Sequence, residues 1–224
     1  MSAIRAVLFD LDGTLLDSAP DLVAALNQVR ESRTLPPLGV AEMSSYVSHG
    51  AAGLLNAGMP ATDNATFESW RAAFLDHYAE NLYRESSLYE GIPELIDFLN
   101  ISAIPWGIVT NKFEALTLPI LEAAHLKDSI SCVVCGDTLK RTKPDPAPVH
   151  LACAILNVLP ENTLFVGDDS RDLAAGKAAG TQTAAVFYGY GSSDLDEQLV
   201  AGSFQIHRPS ELIHVVRNAW TGLQ

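Results

Sequence analysis

Short apolar runs recur along this chain, and segments of helix length separate them. Each run is rich in β-branched or aromatic side chains and is followed by a polar residue or by glycine. The runs occupy residues 5–9, 105–109, 131–135, 163–166 and 183–187. Such runs are typical of strands that are buried on both faces of a sheet. The segments between them, residues 112–124, 146–157 and 171–180, fit crossover helices. The sequence therefore predicts an α/β fold, with a mostly parallel sheet and helices on both faces.

One spacing departs from this rhythm. The later runs follow one another at the distance expected of a β-α-β unit, whereas about 95 residues separate the first two. Within the excess, residues 18–84 carry apolar side chains at helical spacing, as in Leu22, Leu26 and Val29. We predict an all-helical subdomain at 17–86, inserted into a core domain formed by 1–16 and 87–224. A weaker strand near 204–206 and a final helix from Ser210 complete the predicted core.

Polar side chains follow the apolar runs, at the points where the predicted strands end. The segments concerned are Asp10-Leu11-Asp12-Gly13-Thr14, Thr110-Asn111-Lys112, Gly136-Asp137 and Gly167-Asp168-Asp169-Ser170-Arg171-Asp172. Because the carboxyl ends of parallel strands line one crevice, we expect these groups to lie close together. Lys143, in a Lys-Pro-Asp-Pro segment, can supply a cation beside them.

This set of side chains suits phosphoryl transfer. Clustered carboxylates repel one another, and a hard cation such as Mg²⁺ removes that repulsion while it binds phosphate oxygens. Asp10 directly follows its strand, so its position is rigid, which suits a nucleophile that forms an aspartyl phosphate. Asp12 lies two residues further on and can protonate the leaving alcohol, then deprotonate water. Gly13 permits a sharp turn of the backbone directly after Asp12.

These segments resemble the four motifs of the haloacid-dehalogenase superfamily, and they occur in the family's order. Residues 8–17 are similar to the first motif, 109–112 to the second, 143–146 to the third and 166–172 to the fourth. The resemblance covers essentially the whole chain and implies a Rossmann-like core. It also implies that the helical insertion is a small cap. The family's aliphatic-halide branch lacks an aspartate where Asp12 stands, so dehalogenation is not expected.

The resemblance implies a role for each matching residue. Asp10 would be the nucleophile and a Mg²⁺ ligand, and Asp12 the general acid/base that also offers its backbone carbonyl to the metal. Thr110 would bind the phosphoryl group with Asn111 beside it, and Lys143 would stabilise both the nucleophile and the transferring phosphoryl group.

In the fourth motif, the resemblance implies that Asp168 is a metal ligand and that Asp172 supports the metal. Asp169 departs from the usual small hydroxyl residue, which leaves open which of these carboxylates contact the ion directly.

By this resemblance the chain is a Mg²⁺-dependent phosphatase of a small phosphomonoester, similar to phosphoglycolate phosphatases. An N-acetylmuramic acid 6-phosphate or other sugar-phosphate phosphatase, a phosphosugar mutase and, more remotely, a phospho-aspartate signalling receiver are the alternatives. The leaving group should be selected in the insertion, where His49 and Gly50 lie in a break between helical stretches. A plain interhelical turn is the competing interpretation of that break.

Charge and composition exclude other functions. The chain has 224 residues, with 14 basic and 27 acidic side chains and a net charge of −13, so we expect no nucleic-acid partner. No apolar run is long enough to cross a membrane, and Met1 leads almost directly into a strand, so we expect a cytoplasmic protein. Cys132 and Cys135 are interpreted as buried apolar side chains. Nothing in the sequence indicates an oligomeric state.

Overall fold

The computed structural model describes residues 3–220. They form two compact units. One combines the chain up to Leu16 with the chain from Leu88 onward, and the other is Asp17–Ser87. Residues 1–2, at the start of the predicted core domain, and residues 221–224, at its end, lie outside the described residues. Among the residues described, no helix is both long enough and apolar enough to cross a bilayer.

A six-stranded sheet forms the centre of the first unit. The strands of the protein are β1 (Ala6–Phe9), β2 (Leu16–Asp17), β3 (Ser87–Leu88), β4 (Trp106–Val109), β5 (Cys132–Val134), β6 (Thr163–Gly167), β7 (Gln182–Val186) and β8 (Phe204–Ile206). The order in the large sheet is β5-β4-β1-β6-β7-β8, and all neighbours in it are parallel. The predicted parallel α/β core is therefore confirmed. The strands β2 and β3 form a separate two-stranded sheet that the sequence analysis did not predict.

Helices connect these strands and build the second unit. They are α1 (Ala19–Glu31), α2 (Val40–Val47), α3 (Gly50–Gly58), α4 (Asn64–Glu80), α5 (Ile92–Ile101), α6 (Glu114–Ala123), α7 (Ala147–Leu156), α8 (Ser170–Ala179), α9 (Glu197–Val200) and α10 (Pro209–Ala219). Helices α1 to α4 belong to the second unit, and α5 to α10 to the first. The helices predicted at 112–124, 146–157 and 171–180 correspond to α6, α7 and α8.

The strand order places the carboxyl end of β1 at a switch point of the sheet. From β1 the chain goes first to β4 and β5 on one side and then to β6, β7 and β8 on the other. Phe9 is level with Ile108 on β4 and with Val166 on β6. The residues that follow these three strands therefore lie within one or two residues of the same level. In parallel sheets, a crevice that binds ligands opens at such a point.

Apolar side chains hold this edge of the sheet rigid. Every residue of β1, β4 and β6 is buried. The rings of Phe9 and Trp106 meet edge to face on neighbouring strands, with their centroids 6.1 Å apart. Aromatic pairs with this geometry stabilise a core beyond their buried area. Polar residues that directly follow such strands have little freedom to move.

A buried carboxylate closes the second unit, where the chain enters and leaves it. Asp21, in the first turn of α1, accepts hydrogen bonds from the backbone N–H groups of Arg84, Glu85 and Ser86 and from the Ser86 hydroxyl. The side chains of α4 that the helical spacing singled out, Trp70, Phe74 and Tyr78, are buried. The unit thus has its own apolar core and a polar tie between its two ends.

Candidate active site

Lys143 joins two of the candidate carboxylates. Its Nζ lies 2.7 Å from Asp10 Oδ1, 2.7 Å from Asp172 Oδ1 and 2.7 Å from the carbonyl oxygen of Val109. An ammonium group has three N–H donors, and here each has an acceptor. The lysine side chain is only 3% exposed. Side chains up to 162 residues apart in sequence thus meet at one buried point, and the sequence analysis expected such a cluster beside the strand ends.

Burial and charge act in opposite directions on this lysine. Burial by itself would lower the pKa of Lys143, but the charges of Asp10 and Asp172 outweigh it and raise the pKa. The Lys143 side chain therefore stays a cation. For Asp172, burial raises the pKa, and the Asp10 charge adds to that rise against the opposing charge of Lys143.

Asp10 keeps one carboxylate oxygen for chemistry. Its backbone N–H donates to Val166 O at 2.9 Å, which fixes the residue against β6. Lys143 holds Oδ1, whereas no residue within 3–220 donates a hydrogen bond to Oδ2. The carboxylate is thus oriented by a cation through one oxygen while the other is able to attack or to coordinate.

Three carboxylates at this point have the geometry of a cation site. Asp10, Asp168 and Asp172 each offer one oxygen, and these oxygens lie within 4.8 Å of one another. With Lys143 included, three negative charges and one positive charge leave the ionised cluster at −2. A divalent cation would balance that charge, and a donor set made only of oxygen suits a hard ion. The residues therefore fit a divalent metal.

Asp168 is the most constrained member of the cluster. The Thr14 hydroxyl donates to its Oδ1 at 3.0 Å, and the Gly191 backbone N–H donates to its Oδ2 at 2.8 Å. Burial raises the pKa of Asp168 well above its usual range, and the charges of Asp10 and Asp172 add to this. A carboxylate held in this environment without a counterion is unstable as an anion, which is a further reason to expect a cation beside it.

Gly13 and Gly189 bring the backbone against Asp168. Gly13 has φ of 87°, and a Cβ there would lie 2.2 Å from Asp168 Oδ2. A Cβ on Gly189 would lie 2.1 Å from the carbonyl oxygen of Gly13. The hydroxyl of Tyr188 donates to Thr14 O at 2.9 Å, so the segment 188–191 is tied to the first motif.

Asp12 has a partner that the sequence analysis did not assign to it. Lys112 Nζ lies 2.7 Å from Asp12 Oδ1 and 3.0 Å from Asp12 Oδ2. The Lys112 side chain is 7% exposed and that of Asp12 is 21% exposed. Two lysines are therefore divided between the two aspartates of the first motif, Lys143 beside Asp10 and Lys112 beside Asp12.

The second motif lies at the same edge. Thr110 is buried directly after β4, and its Oγ1 accepts a hydrogen bond from the Lys112 backbone N–H at 3.1 Å. The Asn111 side chain donates to Lys143 O and accepts from Lys143 N, both at 3.0 Å. The side chain predicted to lie beside the phosphoryl group thus also holds the backbone of the catalytic lysine candidate.

Asp169 does not belong to the cluster of carboxylates that could share an ion. It caps helix α8, and its carboxylate accepts from the backbone N–H of Arg171 at 2.8 Å and from Arg171 Nε at 2.8 Å. Asp172 completes the cap by accepting from the Asp169 N–H through Oδ2. The carboxylates that could share an ion are accordingly Asp10, Asp168 and Asp172.

The remaining candidates lie elsewhere. His49 precedes α3 and Gly50 is the first residue of that helix, in the second unit, where both are exposed, so a substrate contact there stays a prediction. Cys132 and Cys135 are buried free thiols, in agreement with the apolar interpretation. Burial raises the pKa of Cys132 to about 12 and that of Cys135 to about 11.

Comparison with known proteins agrees with the motifs. The family model described as haloacid dehalogenase-like hydrolase matches residues 7–186. An N-acetylmuramic acid 6-phosphate phosphatase of Pseudomonas aeruginosa is 39% identical over 217 residues, which are 96% of this chain and 96% of that protein. A phosphoglycolate phosphatase of Chromobacterium violaceum is 35% identical over 220 residues, which are 96% of this chain and 97% of that protein.

A solved structure supports the same fold. The crystal structure of a predicted phosphoglycolate phosphatase from Haemophilus somnus 129pt superimposes with a TM-score of 0.85 at 27% identity. It covers 96% of this chain, and this chain covers 99% of it. The likeness thus extends over both units of the protein.

Proposed function

Because the chain belongs to the haloacid dehalogenase-like hydrolase family, we propose that it is a Mg²⁺-dependent phosphatase that hydrolyses a small-molecule phosphomonoester through an aspartyl phosphate. The observation that carries the proposal is the environment of Asp10. One of its carboxylate oxygens is held by a buried ammonium at 2.7 Å, and its carboxylate shares a point with those of Asp168 and Asp172. Nucleophilic carboxylates need this combination of rigid position and nearby positive charge.

The cation that fits the cluster would be Mg²⁺. Asp10 and Asp168 would hold it directly, with Asp172 supporting the site and Asp12 contributing its backbone carbonyl. When bound, the ion would neutralise part of the phosphate charge and orient the phosphoryl group. It would also offset the mutual repulsion of the carboxylates, which the ammonium of Lys143 counters in part.

The first half-reaction forms a bond between Asp10 and phosphorus. Asp10 Oδ2 attacks the phosphorus atom, and the bond between phosphorus and the leaving oxygen breaks. Asp12, as a carboxylic acid, gives its proton to that oxygen, so the alcohol leaves neutral. Lys143 and the hydroxyl of Thr110 counter the charge on the phosphoryl oxygens. Thr110 accepts a hydrogen bond from Lys112 N and can therefore direct its own hydrogen at the phosphoryl group.

The second half-reaction regenerates the enzyme. Asp12, now a carboxylate, takes a proton from a water molecule, and the water oxygen attacks phosphorus. The bond between phosphorus and Asp10 breaks, which releases inorganic phosphate and returns Asp10 to its ionised form. Asn111 keeps the Lys143 backbone in place through both steps by its two hydrogen bonds.

The leaving group is the second part of the proposal. The core residues act on the phosphoryl group and do not select the leaving group attached to it. We assign the recognition of the leaving group to the helical unit, as a cap, with His49 and Gly50 as candidate contacts. Phosphoglycolate is the first candidate substrate, and N-acetylmuramic acid 6-phosphate is the second. Relatives that bear each name match nearly the whole chain. A cytoplasmic location and the absence of a nucleic-acid partner stay predictions from the sequence.

A phosphate-release screen tests the proposal. Purified protein with Mg²⁺ is offered 2-phosphoglycolate, amino-sugar 6-phosphates, hexose phosphates and p-nitrophenyl phosphate. We expect turnover of at least one of them, its loss in EDTA and its return with added Mg²⁺. The variant Asp10→Asn should lose turnover and keep its circular dichroism spectrum. Asp97→Asn, an exposed aspartate on α5 of the same unit, serves as the matched control. Phosphate release by Asp10→Asn above a tenth of the wild-type rate would exclude Asp10 as the nucleophile.

A further inference from the structure

The side chain of the second lysine of the site, Lys112, has no role in the mechanism so far. It follows β4 by three residues, and its side chain turns inward to a carboxylate 100 positions away in sequence. With 7% exposure, this ammonium has lost most of its hydration. Removing a charge from water is unfavourable, and a buried ion pair is weak evidence for stability. An explanation by function is therefore needed.

The backbone of Lys112 already holds its loop without help from the side chain. Its N–H donates to Thr110 Oγ1 at 3.1 Å, and its carbonyl accepts from Gly136 N at 2.9 Å. The Thr117 hydroxyl adds a further hydrogen bond to the same carbonyl. The loop conformation is thus set by backbone groups, and it does not depend on the ion pair between Lys112 and Asp12.

The ammonium of Lys112 contacts both oxygens of Asp12, at 2.7 and 3.0 Å. Contact with both oxygens restricts the rotation of the Asp12 carboxyl group more than contact with a single oxygen would. Asp12 needs such support, because it precedes Gly13, whose φ is 87°, and its side chain is partly exposed. Lys143 cannot supply it, since its three N–H groups already have acceptors.

We propose that Lys112 is a positioning residue that holds the general acid Asp12 against the leaving-group oxygen. This inference rests on the proposed function. When Asp12 carries its proton on one oxygen, the other oxygen can still accept a hydrogen bond from Lys112, so the acid stays in place while it donates. The backbone of the same residue orders Thr110, so one residue fixes both the phosphoryl side and the leaving-group side of the site.

Leaving groups of different acidity test this role. A p-nitrophenolate ion leaves without protonation, whereas an alkoxide needs a proton from Asp12. We compare kcat/KM for an alkyl phosphate and for p-nitrophenyl phosphate, because this ratio reports the step in which the leaving group departs. In Lys112→Met the alkyl-to-aryl ratio should fall by at least about tenfold, in keeping with the large effect of misplacing a catalytic group by about 1 Å. Lys127→Met, which removes an exposed ion-pairing lysine, is the control.

A double-mutant comparison separates positioning from direct contact with substrate. Once Asp12→Asn has removed the acid, the addition of Lys112→Met should not lower the alkyl-to-aryl ratio further. A further fall in that ratio, or an equal fall of kcat/KM for both substrates in Lys112→Met alone, overturns the inference. So does an unchanged ratio in Lys112→Met.

Two safeguards keep the test decisive. If circular dichroism shows that Lys112→Met does not fold, Lys112→Gln carries the same comparison, because it also removes the charge and shortens the reach to Asp12. If the wild-type protein releases no phosphate from any phosphomonoester with Mg²⁺, the proposed function fails. Wild-type turnover of both substrates without the shift in ratio refutes the role of Lys112 alone.

Discussion

Replacing Gly189 by alanine should distort the site through steric overlap alone, without backbone strain. Gly189 has φ of −79° and ψ of 163°, a conformation open to any residue, so the backbone itself accepts alanine. The added Cβ, however, would lie 2.1 Å from Gly13 O and 2.5 Å from Asp168 Cβ. Neither atom belongs to the free end of a flexible side chain. Even a tight contact of 3.0 Å requires Gly189 and Gly13 to separate by about 0.9 Å.

This displacement gives the expected magnitude. Gly191, two residues on, donates to Asp168 Oδ2, and Gly13 follows Asp12, so the shift moves a metal-ligand candidate and the proposed general acid together. Misplacement of about 1 Å commonly lowers the rate by roughly 100-fold, and we expect that loss in kcat/KM. Overpacking of this kind costs about 1–3 kcal/mol of unfolding free energy. For a chain of this length each kcal/mol corresponds to about 2–4 °C in Tm.

The assay pairs Gly189→Ala with Gly202→Ala. A Cβ on Gly202 meets only the end of the Lys177 side chain, at 3.0 Å from Nζ, which can move aside. Both variants are measured for p-nitrophenyl phosphate hydrolysis, for thermal unfolding and for the Mg²⁺ concentration that gives half-maximal activity. Gly189→Ala should need more Mg²⁺. Activity of Gly189→Ala within threefold of Gly202→Ala would refute the argument that this close approach holds the site together.

Three further perturbations have defined outcomes. Lys143→Met leaves Asp10 and Asp172 without their cation, so kcat should fall by roughly 10³-fold or more. In urea unfolding, the free energy of unfolding of the metal-free protein should fall by about 3–5 kcal/mol. Activity within tenfold of wild type contradicts this prediction. Because burial raises the pKa of Cys132 to about 12 and of Cys135 to about 11, native protein at pH 8 should react with a disulfide reagent only after unfolding. A folded-state pKa above the unfolded value of 9.0 stabilises the fold below pH 9. The urea concentration at the unfolding midpoint should therefore decrease as the pH rises from 9 to 11. Fast labelling of these thiols in native protein at pH 8 contradicts their burial. Asp21→Ala removes the acceptor of three backbone N–H groups and should cost at least about 2 kcal/mol, with faster tryptic cleavage after Arg84 than in an Asp97→Ala control; equal cleavage rates would show that Asp21 does not secure this segment.

The sequence predicted the sheet well because its strands carry a strong signal. Strands covered on both faces read as unbroken apolar runs, as Ala6–Phe9 and Trp106–Val109 do. The residue after each run then lies at a known edge, so Asp10, Thr110 and Asp168 could be brought together without coordinates. By contrast, the two-residue strands Leu16–Asp17 and Ser87–Leu88 are too short to show any periodicity.

Contacts made by the backbone or by long side chains were harder to predict. Nearly every residue has a backbone N–H group, so the sequence does not show that the N–H of Gly191 is the one that donates to Asp168. Lys112 was visible at a strand end, but a flexible four-carbon stem allows many partners, and its pairing with Asp12 depends on tertiary geometry. The role of Asp169 as the N-cap of α8 could have been predicted from the sequence around it. An aspartate three residues before another acidic residue at a helix start is a capping pattern.

The tie made by Asp21 has a consequence for how this protein can diversify. Because residues 84–86 hydrogen-bond to Asp21 at the start of α1, the sixty-odd residues in between begin and end at neighbouring points. Substitutions, insertions or even replacement of that segment need not disturb the strand end that carries Asp10 or the loop before α7 that carries Lys143. Under the proposed function, changes in the helical unit would therefore alter the choice of substrate while the residues proposed for phosphoryl transfer stay the same.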